Sequence, residues 1–221
     1  MTAELWKIIG EGAWQTVYMT LASTLGAYVL GFPLGIILTV TDKNGLRPNR
    51  VIHSLLGITV NLLRSIPFII LLLLVTPFTR LVAGTSIGPT AALVPLILSA
   101  APYAARLVES ALKEVDGGVI EAAKSVGATN AQIIFRAVIP EAKTALITGA
   151  AIAATTITGY TAMAGCVAAG GLGELAYRYG YVRNVKAVTY VCVVLLVAFI
   201  QICQEGGLLL AKKSDKRNKG R

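Results

Sequence analysis

Apolar residues in this chain come in long blocks, separated by short polar connections. A helix rises about 1.5 Å per residue and the hydrocarbon core of a bilayer is about 30 Å thick, so a crossing helix needs roughly 20 largely apolar residues. Five blocks meet that length, at residues 16–41, 51–77, 89–112, 140–166 and 187–210. Unpaired backbone groups are costly in hydrocarbon, and a helix satisfies its own. The pattern therefore predicts an all-α integral membrane protein with five transmembrane helices. Ahead of the first block, "LWKIIGEGAW" carries Trp6 and Trp14. It is expected to form an N-terminal interfacial segment, because an indole buries its ring and still donates a hydrogen bond at the headgroups.

One segment breaks the apolar pattern with charges and a glycine: "EAAKSVGATNAQIIFRAVIPEA", residues 121–142. Val119, Ala122, Ala123 and Val126 follow the i, i+3, i+4, i+7 rule and predict a short helix with a small apolar stripe. Gly127 supplies its stop. Thr129 and Gln132 form a T-x-x-Q capping box, which starts a second short helix carrying Ile133, Ile134, Ala137 and Val138. That helix is expected to end near Pro140, which opens the fourth span. The segment reads as helix, sharp turn, helix, outside the bilayer.

Composition agrees with the membrane class: 55% hydrophobic residues against 14% charged, with a mean hydropathy of +0.71. The net charge of +9 does not indicate a nucleic-acid partner, because six of the twenty Lys and Arg residues lie in the last ten positions, beyond an apolar helix. There they suit a cytoplasmic anchor beside anionic membrane lipid. The division expected is a single transmembrane domain at 1–211, with a cytoplasmic loop at 113–140, and a basic cytoplasmic tail at 212–221. Lys43, Arg47, Arg50, Arg106, Lys113, Lys124, Arg136, Lys143 and the tail fall on one side; Lys7, Arg80, Arg178, Arg183 and Lys186 fall on the other. The richer side is cytoplasmic, which puts residues 121–142 and the C-terminus inside and the N-terminus outside. The first block runs too long for a signal-peptide core and lacks a cleavage site, so it is expected to be retained as a span.

Several chemistries are excluded. Gly26 and Gly31 have P-loop spacing, but Phe32 and Pro33 replace the Lys-Ser/Thr, so ATP is not bound this way. "GGLGELA" from Gly170 fits a dinucleotide fingerprint formally but follows a membrane span rather than a strand. It reads as a tight re-entrant or surface turn outside the fourth span, where a loop rich in Tyr177, Tyr179 and Tyr181 either meets a partner or forms an interfacial aromatic belt. Cys166, Cys192 and Cys203 lack CxxC spacing and are expected as buried, inert free thiols. His53 is the only histidine, so no metal or catalytic histidine cluster is expected.

The third and fourth spans are expected to face protein. Ala145, Gly149 and Ala153 permit close helix approach, and Thr155, Thr156, Thr158 and Tyr160 offer hydroxyls that a lipid face would waste. Pro95 and Pro102 interrupt the ladder of the third span, which neighbouring helices tolerate. Arg64 lies inside the second span, where a charge is costly. It either lines a path, snorkels to the cytoplasmic end or pairs with Glu109, which also stands three residues from Arg106 as a local ion pair. Met163, in the small-residue fourth span just before the glycine-rich turn, is a candidate gate, because an unbranched thioether fills irregular space and changes rotamer readily.

Glu-Ala-Ala, three residues, Gly, and a Pro thirteen positions further resembles the "EAA" signature of permease subunits of ATP-binding-cassette importers. The family's usual I-x-L-P ending is altered here, with Ala137 and Ile139 before Pro140. "NLLRSIPFIILLLLVTPFTRLVAGTSIG", residues 61–88, and "GYTAMAGCVAAGGLGELAYRYGY", residues 159–181, narrow the resemblance to permeases of methionine importers. The resemblance implies a homodimer of this chain, two ATP-binding subunits on the cytoplasmic side and an extracytoplasmic methionine-binding lipoprotein. It implies that ATP and magnesium belong to the partner subunit, with no cofactor bound by this chain. It also implies ATPase coupling through Glu121, Ala122, Ala123 and Gly127. A translocation path and gate at Met163, Tyr160 and Arg64, and a binding-protein contact at Gly171, Tyr177 and Tyr179, complete the expected sites. The alternatives are an importer permease for another amino acid or small solute and, from another class, an ion-driven secondary transporter, which calls for internal repeats and a midplane carboxylate; neither feature occurs in the sequence.

Overall fold

The computed structural model describes residues 3–215. The described residues are helical with no strand, as the apolar blocks require. Helix α1, Ala3–Thr41, is one unbroken helix of 39 residues. At about 1.5 Å per residue it extends some 58 Å, more than a bilayer is thick. The expected separate interfacial segment is therefore the continuation of the first span. Trp6 and Trp14 still stand exposed on it.

The second predicted span is not a straight crossing. Helix α2, Arg50–Ser65, stops short of Pro67, and α3, Phe68–Leu74, leaves at 100° to it. The cause is local. A residue before proline avoids the helical region, and Ile66 is extended at φ −78°, ψ 121°. Helix α4, Thr76–Ala83, follows and ends on Gly84. Among the described residues, four helices are thus long and apolar enough to span a membrane by themselves, or five if the bent pair counts as one.

Helix α5, Pro89–Lys113, forms the centre of the protomer, with Pro95 and Pro102 inside a continuous helix and both buried. Helix α1 lies along it. Its Gly31 and Gly35 meet the backbone of Ala101 and Ala105 and the side chains of Ala104 and Val108 so closely that a Cβ on either glycine would sit 2.6–2.9 Å from those atoms. Helix α9, Lys143–Ala164, packs against both with Gly149, Ala153, Ile157 and Thr158 buried. The third and fourth spans are therefore internal, as expected. The last helix, α11, Lys186–Ser214, covers α9 and buries only Val188, Cys192 and Ala211. It includes Lys212 and Lys213, so the expected tail at 212–221 begins inside a helix; residues 216–221 lie outside the described residues.

Candidate functional site

Three residues after α5 ends, the chain forms α6, Gly117–Ser125, then a helical run from α7, Asn130–Gln132, through a π-helical stretch, Ile133–Val138, to α8, Ile139–Glu141. Asp116 caps α6 by accepting from the Gly118 N–H at 2.7 Å. Glu121 is exposed and lies one helical turn further on. At the other end Gly127 takes φ +79°. The Ala128 N–H then reaches back to the Ala123 carbonyl at 3.1 Å and the Gly127 N–H to the Lys124 carbonyl at 2.9 Å. Such a pair of bonds closes a helix through a left-handed residue, a conformation that costs glycine little. The capping box forms as predicted: Thr129 Oγ1 accepts from the Gln132 N–H at 3.4 Å, and Gln132 Oε1 from the Thr129 N–H at 2.8 Å. The second helix ends one residue past Pro140, at Glu141, near where expected, and the fourth span begins at Lys143 rather than at Pro140 itself.

The predicted apolar stripe of α6 divides between two faces. Ile120 and Ala123, with Ala128 beyond the turn, pack inward on a cluster built on Val108, Leu112, Ile133 and Val138. Ala122 is exposed, and Val126 is 82% exposed. The inward contacts hold the helix in place, which leaves Glu121, Ala122 and Val126 as a small, partly apolar outer surface. A cleft of about 720 Å³ opens nearby, with Glu114, Asp116 and Glu141 among its lining. The site therefore presents acidic groups next to a small-residue ridge.

Beneath α6 lies a charge network that was only partly visible in the sequence. Glu109 is the one buried charge among the described residues. Arg106 Nη1 donates to its Oε2 at 2.6 Å and Lys113 Nζ to its Oε1 at 2.8 Å. Lys113 also reaches Asp42 Oδ2, just past α1, at 2.8 Å, and Arg106 Nη2 reaches Asn61 Oδ1 at 2.9 Å and the Gly57 carbonyl at 3.1 Å on α2. The expected local pair of Arg106 and Glu109 is thus one link in a tie between three helices. His53, Asp42 and Glu109 converge as a metal site would require, but the Lys113 ammonium already bridges the two carboxylates. Asp42 is held below its ordinary carboxylate value by the Lys113 hydrogen bond and by the Asn44 N–H. Arg64 does not join the network: Glu109 is occupied, and the exposed Arg64 guanidinium stands 5.6 Å from the Tyr103 ring centroid.

At the far end of the protomer, Tyr160 stacks on Phe68 with centroids 4.8 Å apart and planes 5° from parallel. This contact joins α9 to the bent second span. Met163, one turn on, is 52% exposed. The glycine-rich turn leads into α10, Gly171–Leu175, and a π-helical stretch, Ala176–Val182. Its N–H groups are taken internally: Gly171 donates to Gln15 Oε1 at 2.8 Å, Leu172 to Thr16 Oγ1 at 2.9 Å and Gly170 to Glu174 Oε2 at 2.8 Å. That arrangement leaves nothing for a pyrophosphate. It also corrects the expectation for Gly171, which is buried against Thr16 and Met19 and unavailable to a binding protein. Tyr179 is half-buried, with the Arg183 and Arg178 guanidiniums 4.7 and 5.6 Å from its ring centroid. Tyr177 stacks on Tyr181 and both are exposed. The cysteines are free, but Cys166 is exposed rather than buried.

Relatives show the same construction. The family described as "Binding-protein-dependent transport system inner membrane component" matches residues 31–204. A Bacillus subtilis protein named "Methionine import system permease protein MetP" is 47% identical over 214 residues, covering 97% of this chain and 95% of the relative. A Pasteurella multocida protein named "Probable D-methionine transport system permease protein MetI" is 43% identical over 217 residues, covering 98% and 100%. Among solved structures, a chain of the MetNI methionine ABC transporter in an inward-facing conformation superposes with a TM-score of 0.96 at 41% identity, covering 98% of this chain and all of that one. A bundle of apolar crossings, an exposed helix-turn-helix outside them and this coverage together settle the class: the chain belongs to the inner membrane component family of binding-protein-dependent transport systems, as a transport subunit.

Proposed function

We propose that the chain is the permease of an importer that moves methionine inward, working as a homodimer with two ATP-binding subunits docked at α6. The observation that carries this reading is the Gly127-closed helix-turn-helix, which holds Glu121, Ala122 and Val126 outward on a fixed base. A small ridge of this kind suits insertion into a groove of a partner. ATP and magnesium belong to that partner, and an extracytoplasmic methionine-binding lipoprotein delivers substrate to the opposite face, where Tyr177 and Tyr181 are exposed. The charge asymmetry supports α6 and the C-terminus in the cytoplasm and the N-terminus outside. Co-expression with the cognate ATPase subunit is the test. The two should copurify, and proteoliposomes holding them should take up radiolabelled L-methionine when ATP and the binding protein are supplied. A permease that never retains the ATPase refutes the reading.

Met163 is the proposed gate. It is half exposed in the single protomer, beside the Tyr160–Phe68 stack, so a second copy can bring two thioethers together across a dimer axis. In a cysteine-free background Met163→Cys should crosslink between protomers in one nucleotide state and not in the other. The gate assignment fails if no state crosslinks and Met163→Ala leaves uptake and leak unchanged.

A further inference from the structure

The tie between Asp42, Lys113 and Glu109 connects the helix that ends at the coupling segment to the first two helices of the chain. Lys113 is the last residue of α5, and α6 begins at Gly117. Along the chain, a displacement of α6 by a docked ATPase therefore reaches Lys113 across only three intervening residues. From there the contacts run to Asp42 at the end of α1, and through Glu109 and Arg106 to Gly57 and Asn61 of α2. Helix α2 ends in the 100° bend before Phe68, the residue stacked on Tyr160 beside Met163.

We infer that Asp42, through Lys113, is a positioning residue for coupling, fixing the end of α1 against the end of α5 so that movement of α6 carries α1 along with α5 rather than being absorbed at the α5–α6 connection. The exposure of the pair favours this over a stabilising role. The Lys113 side chain is 42% exposed and that of Asp42 18%, and ion pairs open to solvent add little to stability. Geometry is what they supply. The ammonium lies 2.8 Å from both carboxylates, so it sets the distance between the two helix ends.

The inference rests on the proposed docking of an ATPase at α6. Asp42→Asn keeps the shape of the side chain and leaves the pairs within α5 intact. In proteoliposomes with the ATPase subunit and binding protein, L-methionine taken up per ATP hydrolysed should fall about fivefold, the lower end of typical coupling between sites. Lys113→Met should do the same and Lys113→Arg should restore the ratio. The thermal midpoint of Asp42→Asn in detergent should match the parent. An unchanged ratio in Asp42→Asn and Lys113→Met with the ATPase bound overturns the inference alone, as does a loss of coupling that only tracks a fall in thermal midpoint. Failure of the unsubstituted chain to retain the ATPase overturns the proposed function, and this inference with it.

Discussion

Gly127→Val is expected to abolish most ATP-driven uptake while leaving membrane insertion intact. Gly127 sits at φ +79°, and a Cβ added there would meet nothing within 4 Å, so the obstacle is the backbone and not crowding. A β-branched residue in this region costs on the order of 1–3 kcal/mol. That strain is relieved by giving up the two bonds from Gly127 and Ala128 that close α6. The outer surface of α6 then loses its fixed relation to the inward contacts of Ile120 and Ala123. A penalty of about 2 kcal/mol lowers the docking-ready population by roughly thirtyfold. Uptake and copurification of the ATPase should fall together, with the amount of permease in the membrane unchanged. Gly127→Asn, which tolerates the left-handed region better, should retain more activity than valine. Wild-type transport in Gly127→Val would show that the turn is not needed for coupling.

Gly31→Leu is expected to prevent the protomer from folding, because α1 and α5 approach through that position. A Cβ there would lie 2.6 Å from the Ala101 carbonyl oxygen and 2.9 Å from the Ala105 nitrogen. Backbone atoms of a packed helix do not swing aside as a side chain would. Overpacking of this kind costs about 1–3 kcal/mol for added methylenes that the core can partly absorb. Here a whole leucine side chain would force the helices apart along the Ala104 and Val108 contacts. Even Gly31→Ala should lower the thermal midpoint in detergent, and Gly31→Ala with Gly35→Ala should lower it further, though not additively, since both press on α5 one turn apart. Gly10 is the control: it lies in the same helix with nothing within 4 Å, so Gly10→Ala should leave the midpoint unchanged or raise it slightly. A stable, monodisperse Gly31→Leu protein would refute the close packing of α1 on α5.

Features governed by neighbours along the chain were legible without coordinates. The length of the apolar blocks specified membrane-crossing helices, because hydrocarbon thickness and helical rise are fixed. Gly127, Thr129 and Gln132 could be read for the same reason: a left-handed stop and a capping box are made by residues within a few positions of one another. The fate of Pro67 was not legible. Pro67 follows the end of a helix and redirects the chain by 100°, whereas Pro95 and Pro102 sit inside a continuous one. The difference is the company each helix keeps, since α5 is enclosed by α1 and α9 and the exposed α2 is not. Tertiary structure likewise decided which face of α6 turns inward, that Gly171 is buried under Thr16 and Met19, and that Gly31 and Gly35 are contact points for α5. It also gave Arg106 and Lys113 their cross-helix partners and left Arg64 to Tyr103. Each of these depends on which residues far apart in the chain become neighbours, and the hydrophobic pattern of a membrane helix, apolar on nearly every side, carries little information about which side meets protein and which meets lipid.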